Sequence, residues 1–209
     1  MKNNYVKKII AVVGDAVIEE HGSKYNLSVE LGKALIDNGY RVQTGGGGGV
    51  MEAVFIGAKM SKNYMPGDTI AILPSFDRSE ANSYADIVLP TGIDLMRNAI
   101  VANADATISI GGGSGTLSEI AFAWHFCKLI IAYSNSDGWS AKLAGTRIDD
   151  RVRYKNMKNE DDIVFSVSTA DEAIKILAEK IDIYNHHYKG IHEKNRFHRE
   201  MLQKKCKIF

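Results

Sequence analysis

Two stretches of the chain share one pattern, and that pattern limits the fold more than any other feature. "YRVQT" runs into "GGGGG", Gly45 to Gly49, and then into a helix-like stretch from Val50 to Met60. "DATISI" runs into "GGGSG", Gly111 to Gly115, and then into a helix-like stretch from Thr116 to Phe126. A strand that passes through a short glycine turn straight into a helix is half of a βαβ unit, and strands joined by such crossovers lie parallel.

The rest of the sequence repeats the alternation. "KIIAVV", Lys8 to Val13, is a nearly continuous apolar run of the kind buried on both faces of a sheet. Lys24 to Asn38 carries Leu27, Leu31, Ala34 and Leu35 at helical spacing, with Gly39 as a stop. "DTIAILP" and "ADIVLP" read as the third and fourth strands, Asp94 to Asn103 as a helix, "KLIIAY" and "DIVFSV" as the sixth and seventh strands. A last helix starts at Thr169, with Glu172 in capping-box position. Ser134 to Gly145 reads as a loop with a short helix. The expected fold is α/β: a single-domain, doubly wound, Rossmann-like parallel sheet of about seven strands with helices on both faces. The domain is placed at residues 1–188, and a basic helical tail at 189–209.

Charge and cysteine content narrow the function classes. Lys and Arg number 26 against 25 Asp and Glu, so composition points to neither a nucleic-acid nor a membrane partner. The balance hides an asymmetry: from Lys189 onward there are seven basic and two acidic residues, which leaves the remainder mildly acidic. Four histidines near this end, His186, His187, His192 and His198, lack the spacing of a helical metal pair, and no metal site is expected. Cys127 and Cys206 form no metal or disulfide motif, and the first apolar run is too short for a signal peptide. A cytoplasmic protein is the expectation.

In a doubly wound sheet, ligands bind beyond the carboxyl ends of the strands, where both glycine runs lie. Free N–H groups at a helix start attract anions, and glycine lets an anion reach the backbone. The dinucleotide fingerprint fails, because Val50 and Thr116 stand where its last glycine or alanine belongs and only Gly14 follows the first strand. A Walker loop fails for want of lysine at the same two places. A mononucleotide or sugar phosphate remains. Glu52 and Glu119 lie early on the two following helices, where each could simply complement the dipole. Beside a phosphate, a carboxylate would face the sugar instead. Arg97 and Asn98 stand ahead of the fifth strand, where an arginine can clamp a phosphate. Trp124 and Phe126 read as core or dimer contacts.

"GGGSGTLSE", Gly111 to Glu119, is similar to the P-G-G-x-G-T-x-x-E signature of the Lonely Guy (LOG) family, long labelled lysine decarboxylases. "TGGGGGVM", Thr44 to Met51, resembles that family's G-G-G-x-x-G-x-M loop, and Arg97-Asn98 resembles the end of its M-x-x-R-K element. The whole stretch from "ANSYADIVLP" through "GGGSGTLSEIA" looks closer to a branch related to the DNA-processing protein DprA and to molybdenum-cofactor carriers. Gly111 replaces the signature proline, Asn98 the lysine and Asp94 the methionine of the second element. Gly14-Asp15-Ala16 replaces a Gly-Ser turn, and an acid there would discourage a second anion.

The resemblance implies a phosphoribohydrolase that splits a nucleoside 5′-monophosphate into free base and ribose 5-phosphate, with Arg97 and Glu119 catalytic. Gly45, Gly46, Gly47, Gly48, Gly49, Met96, Asn98, Gly112, Gly113, Ser114, Gly115 and Thr116 would bind an AMP-like nucleotide. No cofactor is expected, and the resemblance implies a homodimer or larger. The alternative is a non-catalytic carrier of a nucleotide or of a pterin phosphate such as molybdenum cofactor.

Overall fold

The computed structural model describes residues 6–154 and 161–187. Along the chain come β1 (Ile9–Gly14), α1 (Ser23–Asp37), β2 (Arg41–Thr44), α2 (Val50–Lys59), β3 (Thr69–Leu73) and β4 (Ile87–Pro90). Then follow α3 (Asn98–Ala102), β5 (Ala106–Ile110), α4 (Ser114–His125), β6 (Leu129–Tyr133), α5 (Gly138–Leu143), β7 (Phe165–Val167) and α6 (Ala170–His187). The seven strands form one parallel sheet in the order β4-β3-β2-β1-β5-β6-β7. This is the expected Rossmann-like α/β fold. Strand order reverses between β1 and β5, so a crevice opens there beyond the strand ends.

The apolar runs divide between the two faces with the period of a strand. On β1, Ile10 and Val12 join the core under α1 and α2, while Ala11 and Val13 face the other layer with Val101. On β6, Leu129, Ile131 and Tyr133 go to the first core, and Ile130 and Ala132 to the layer around Trp124. Trp124 is thus a core residue, fully buried.

Several ends differ from the sequence reading. Asp94 to Asn103 is not one helix: Asp94–Arg97 is a 3-10 turn and only Asn98–Ala102 is α-helical, with Asp94 held at φ +51°. The seventh strand begins at Phe165 rather than Asp162, because Asp162 is drawn into a buried cluster. Its carboxylate accepts from Arg153 Nε (2.9 Å) and from the Tyr184 hydroxyl (3.0 Å), while the Arg153 guanidinium lies 3.6 Å from the centroid of Trp124. Helix α4 starts at Ser114, two residues early, which carries Glu119 out of the first turn. The capping residues of α6 do pair, Glu172 N–H with Thr169 Oγ1 (3.2 Å) and Glu172 Oε2 with Ser168 N–H (2.6 Å). The tail from 189 and the histidines at 192 and 198 lie outside the described residues. Among the described residues no helix is long and apolar enough to cross a membrane.

Helices α1 and α2 touch backbone to backbone. A Cβ on Gly32 would lie 1.9 Å from the carbonyl oxygen of Val54, and one on Gly57 would lie 1.9 Å from that of Val29. Neither backbone can yield without separating the helices. Gly57→Ala is therefore expected to cost about 2 kcal/mol or more, against the slight gain that alanine brings to an open helix. Urea unfolding checks this; an unchanged or raised midpoint contradicts the contact.

Candidate functional site

A cavity of about 310 Å³ sits at the strand-order reversal. Its walls come from the end of β1 (Val13 to Ala16), from Gly45 and Met51, from Leu95, Arg97 and Asn98, and from Gly113 to Thr116 with Glu119. Three loops that are far apart in sequence meet here because β1, β2 and β5 are adjacent.

The two glycine loops, alike in sequence, do different work. At the start of α2 the Val50 N–H already donates to the carbonyl of Asp15 (2.9 Å), and a Cβ on Gly49 would lie 2.3 Å from that same oxygen. This helix start is closed by the chain itself. The carbonyls of Gly46 and Gly47 accept from the Asn82 side chain at 3.2 and 2.9 Å, which ties the loop down. At α4 the opposite holds. Gly113 begins the helix with no side-chain cap, and Cβ atoms on Gly113 or Gly115 would meet nothing within 4 Å. The free N–H groups of this first turn open onto the cavity.

Arg97 and Glu119 meet behind that helix start. Arg97 Nη1 donates to Glu119 Oε1 at 3.3 Å, with side-chain exposures of 14% and 9%. Arg97 can lie across the first loop only because position 45 is glycine: a Cβ there would stand 2.3 Å from Nη1. The pair is poorly compensated. Arg97 Nε is buried with no partner among the described residues. Burial pushes the Glu119 carboxyl up from 4.5 to about 7, with Arg97 pulling the other way. Burial likewise lowers the Arg97 guanidinium, opposed by Glu119. One long hydrogen bond does not offset taking two charges out of water. The site therefore holds an acid poised near neutrality beside a cation with donor capacity to spare.

Of the residues singled out in the sequence, the cavity gathers Gly45, Arg97, Asn98, Gly113, Ser114, Gly115, Thr116 and Glu119. Gly46, Gly47, Gly48 and Gly49 are not on its wall; they form the tied loop behind Gly45. Gly112 is a turn residue beneath Thr116, at φ +98°, whose carbonyl accepts from the Trp139 N–H (2.9 Å). Met96 points to solvent, 65% exposed, and its neighbour Leu95 lines the cavity instead, a consequence of the tight 3-10 turn. Asn98 Nδ2 donates to Ser118 Oγ at 2.8 Å. Gly111 adopts φ +66°, a conformation open to glycine and closed to proline. The sequence reading missed Lys24, Asn82 and Leu95; only the run "ANSY" marks Asn82, and nothing in its spacing points to a loop 35 residues away.

The profile of the SLOG cluster4 family matches residues 7–174. An uncharacterised protein from Archaeoglobus fulgidus is 41% identical over 115 residues, 54% of this chain and 72% of that one. The X-ray structure of TM1055 is 31% identical with a TM-score of 0.69, covering 82% of this chain and 99% of that one. The molybdenum cofactor binding protein of the phototrophic bacterium Rippkaea orientalis is 30% identical with a TM-score of 0.67, covering 85% and 99%.

The raised Glu119 carboxyl has a consequence for stability. Between about 4.5 and about 7 the folded chain keeps a proton that the unfolded chain has released, so stability falls as pH rises through this window. Wild type should lose up to about 3 kcal/mol more than Glu119→Gln between about pH 4.5 and about pH 8. Paired denaturant titrations across that range measure the difference, and parallel curves would show that Glu119 titrates normally.

Proposed function

The chain belongs to the SLOG cluster4 family, and on that premise we propose that its cavity binds a small phosphate monoester of nucleotide or pterin size and carries it intact. The observation that carries the reading is the open start of α4 facing Arg97, whose buried Nε lacks a partner. A phosphate seated on the N–H groups of Ser114 to Thr116 would offer that guanidinium an acceptor and complete a half-satisfied site. Two glycine loops do not make two anion sites, since α2 is capped by Asp15. The ligand's phosphate is therefore placed at the start of α4 alone.

Carrying is put first on the strength of a relative's ligand, and the state of Glu119 is compatible with it. Breaking an N-glycosidic bond develops positive charge on the ribose, which an ionised carboxylate stabilises. Here burial already holds the carboxyl near 7, and a phosphate dianion in the same cavity would raise it further. Near that value both forms are at hand: protonated, Glu119 donates a hydrogen bond to a ligand oxygen, and ionised, it stabilises positive charge on the ribose. The Rippkaea orientalis protein, described as binding molybdenum cofactor, supports the same reading for a pterin phosphate.

Hydrolysis of a nucleoside 5′-monophosphate is the second reading, and the 3.3 Å contact of Arg97 with Glu119 favours it. If the ligand strengthened that contact, Glu119 would ionise and could orient water at the anomeric carbon. The base would leave with its bonding electrons, water would supply the hydroxyl of ribose 5-phosphate, and the proton released from that water would pass to the departing base. Both readings include a homodimer, supported by the exposed apolar side chains of Leu95 on the cavity wall, Met96 next to it and Phe76, which are 70%, 65% and 84% exposed. A reducing, cytoplasmic setting fits Cys127, a buried cysteine.

A panel of AMP, GMP, IMP, CMP and UMP decides between them. Carriage predicts a higher melting temperature with at least one of these, worth about 2.7 kcal/mol at a hundredfold excess over the dissociation constant, and no free base. Arg97→Met should abolish the stabilisation. Base release that disappears in Glu119→Gln would replace carriage by hydrolysis; no stabilisation and no release would overturn a nucleotide as the ligand.

A further inference from the structure

Neither reading uses the second carboxylate of the cavity. Asp15 follows β1, is 25% exposed, and lines the same cavity as Arg97 and Glu119. Its Oδ2 accepts from Lys24 Nζ at 2.7 Å, and Lys24 also donates to both oxygens of Asp137, at 2.9 and 3.2 Å. The three side chains stand over the glycine turn: a Cβ on Gly111 would lie 2.3 Å from Asp15 Oδ2, 3.1 Å from Lys24 Cδ and 3.3 Å from Asp137 Oδ1. Lys24 is thus shared between two carboxylates, and the cluster keeps a net charge of one negative unit. The hydrogen bond that Lys24 donates to Asp15 also holds the ammonium above its ordinary range, so the cation is not lost near neutrality. Asp15 Oδ1 has no partner among the described residues.

We propose that Asp15, fixed by Lys24, is the selectivity residue of the cavity. It rejects a second anionic group on the ligand and takes one that presents an N–H or O–H donor at that point. An ionised carboxylate only accepts hydrogen bonds, and so does a phosphate oxygen without a proton. Set side by side in a partly desolvated cavity, they repel. A ring N–H or a sugar hydroxyl instead satisfies the free oxygen. The assignment rests on the proposed binding of the ligand's phosphate at the start of α4.

The test is calorimetric binding of AMP, ADP and ribose 5-phosphate to the full chain. Wild type should bind AMP about ten-fold or more tightly than ADP, roughly 1.4 kcal/mol. Asp15→Asn keeps the size and one acceptor, loses the charge, and should narrow the ratio several-fold. Lys24→Gln leaves Asp15 without its counter-charge and should widen the ratio, so a general loss of folding cannot imitate both results. Weakening of ribose 5-phosphate by Asp15→Asn assigns the donor to a sugar hydroxyl; an effect confined to AMP assigns it to the ring. Binding of AMP with a ratio unmoved by Asp15→Asn overturns the role of Asp15 and spares the cavity reading. Failure of every probe to bind wild type overturns a nucleotide or sugar phosphate as the ligand of the cavity, and the selectivity role with it.

Discussion

A Cβ on Gly14 would lie 2.3 Å from the carbonyl oxygen of Ile110 and 2.9 Å from the Val50 side chain. At the point where strand order reverses, the ends of β1 and β5 and the start of α2 approach more closely than any side chain permits. The same constraint returns at Gly49 against the Asp15 carbonyl and at Gly45 against Arg97. These absences of a side chain set the depth of the cavity. They let the loop after β2 act as a wall, and they let a guanidinium reach over it to a glutamate on the far helix. Glycine here serves close approach of backbones more than it serves the ligand.

The electrostatics follow from that closeness. Arg97 and Glu119 are withdrawn from water by the loops around them and given one hydrogen bond in return. A pair that met its own needs would be a structural strut. This one keeps an unpartnered Nε and an acid near neutrality, and an arrangement of that kind costs the fold stability for as long as nothing occupies it. On the proposed function, binding and stability are coupled through the same two residues.

Much of the fold was legible in the sequence because apolar runs and helical spacing are local signals. The alternation gave the seven strands, and the glycine runs gave the end of the sheet where the cavity lies. Boundaries were less legible where a distant partner intervened: Asp162 reads as the start of a strand until Arg153 and Tyr184 are seen to claim it. In the candidate site, the sequence marked Arg97 and Glu119 by type and position. It did not distinguish the two glycine loops, because what separates them is the carbonyl of Asp15 seated on one helix start and absent from the other. Lys24 was hidden for a similar reason. Its place in the alternation says only that it begins a helix, and its two carboxylate partners are 9 and 113 residues away.

Position 111 bears on how relatives are compared. Its φ of +66° suits glycine and lies far outside the range a proline ring allows. A chain with proline at the corresponding place cannot trace this turn, whatever its similarity elsewhere, and must route the backbone differently ahead of the same helix. That one letter in an alignment therefore sorts chains by the shape of their loop. A specificity measured on one sort is not a guide to the other, even where the glutamate on the following helix is shared.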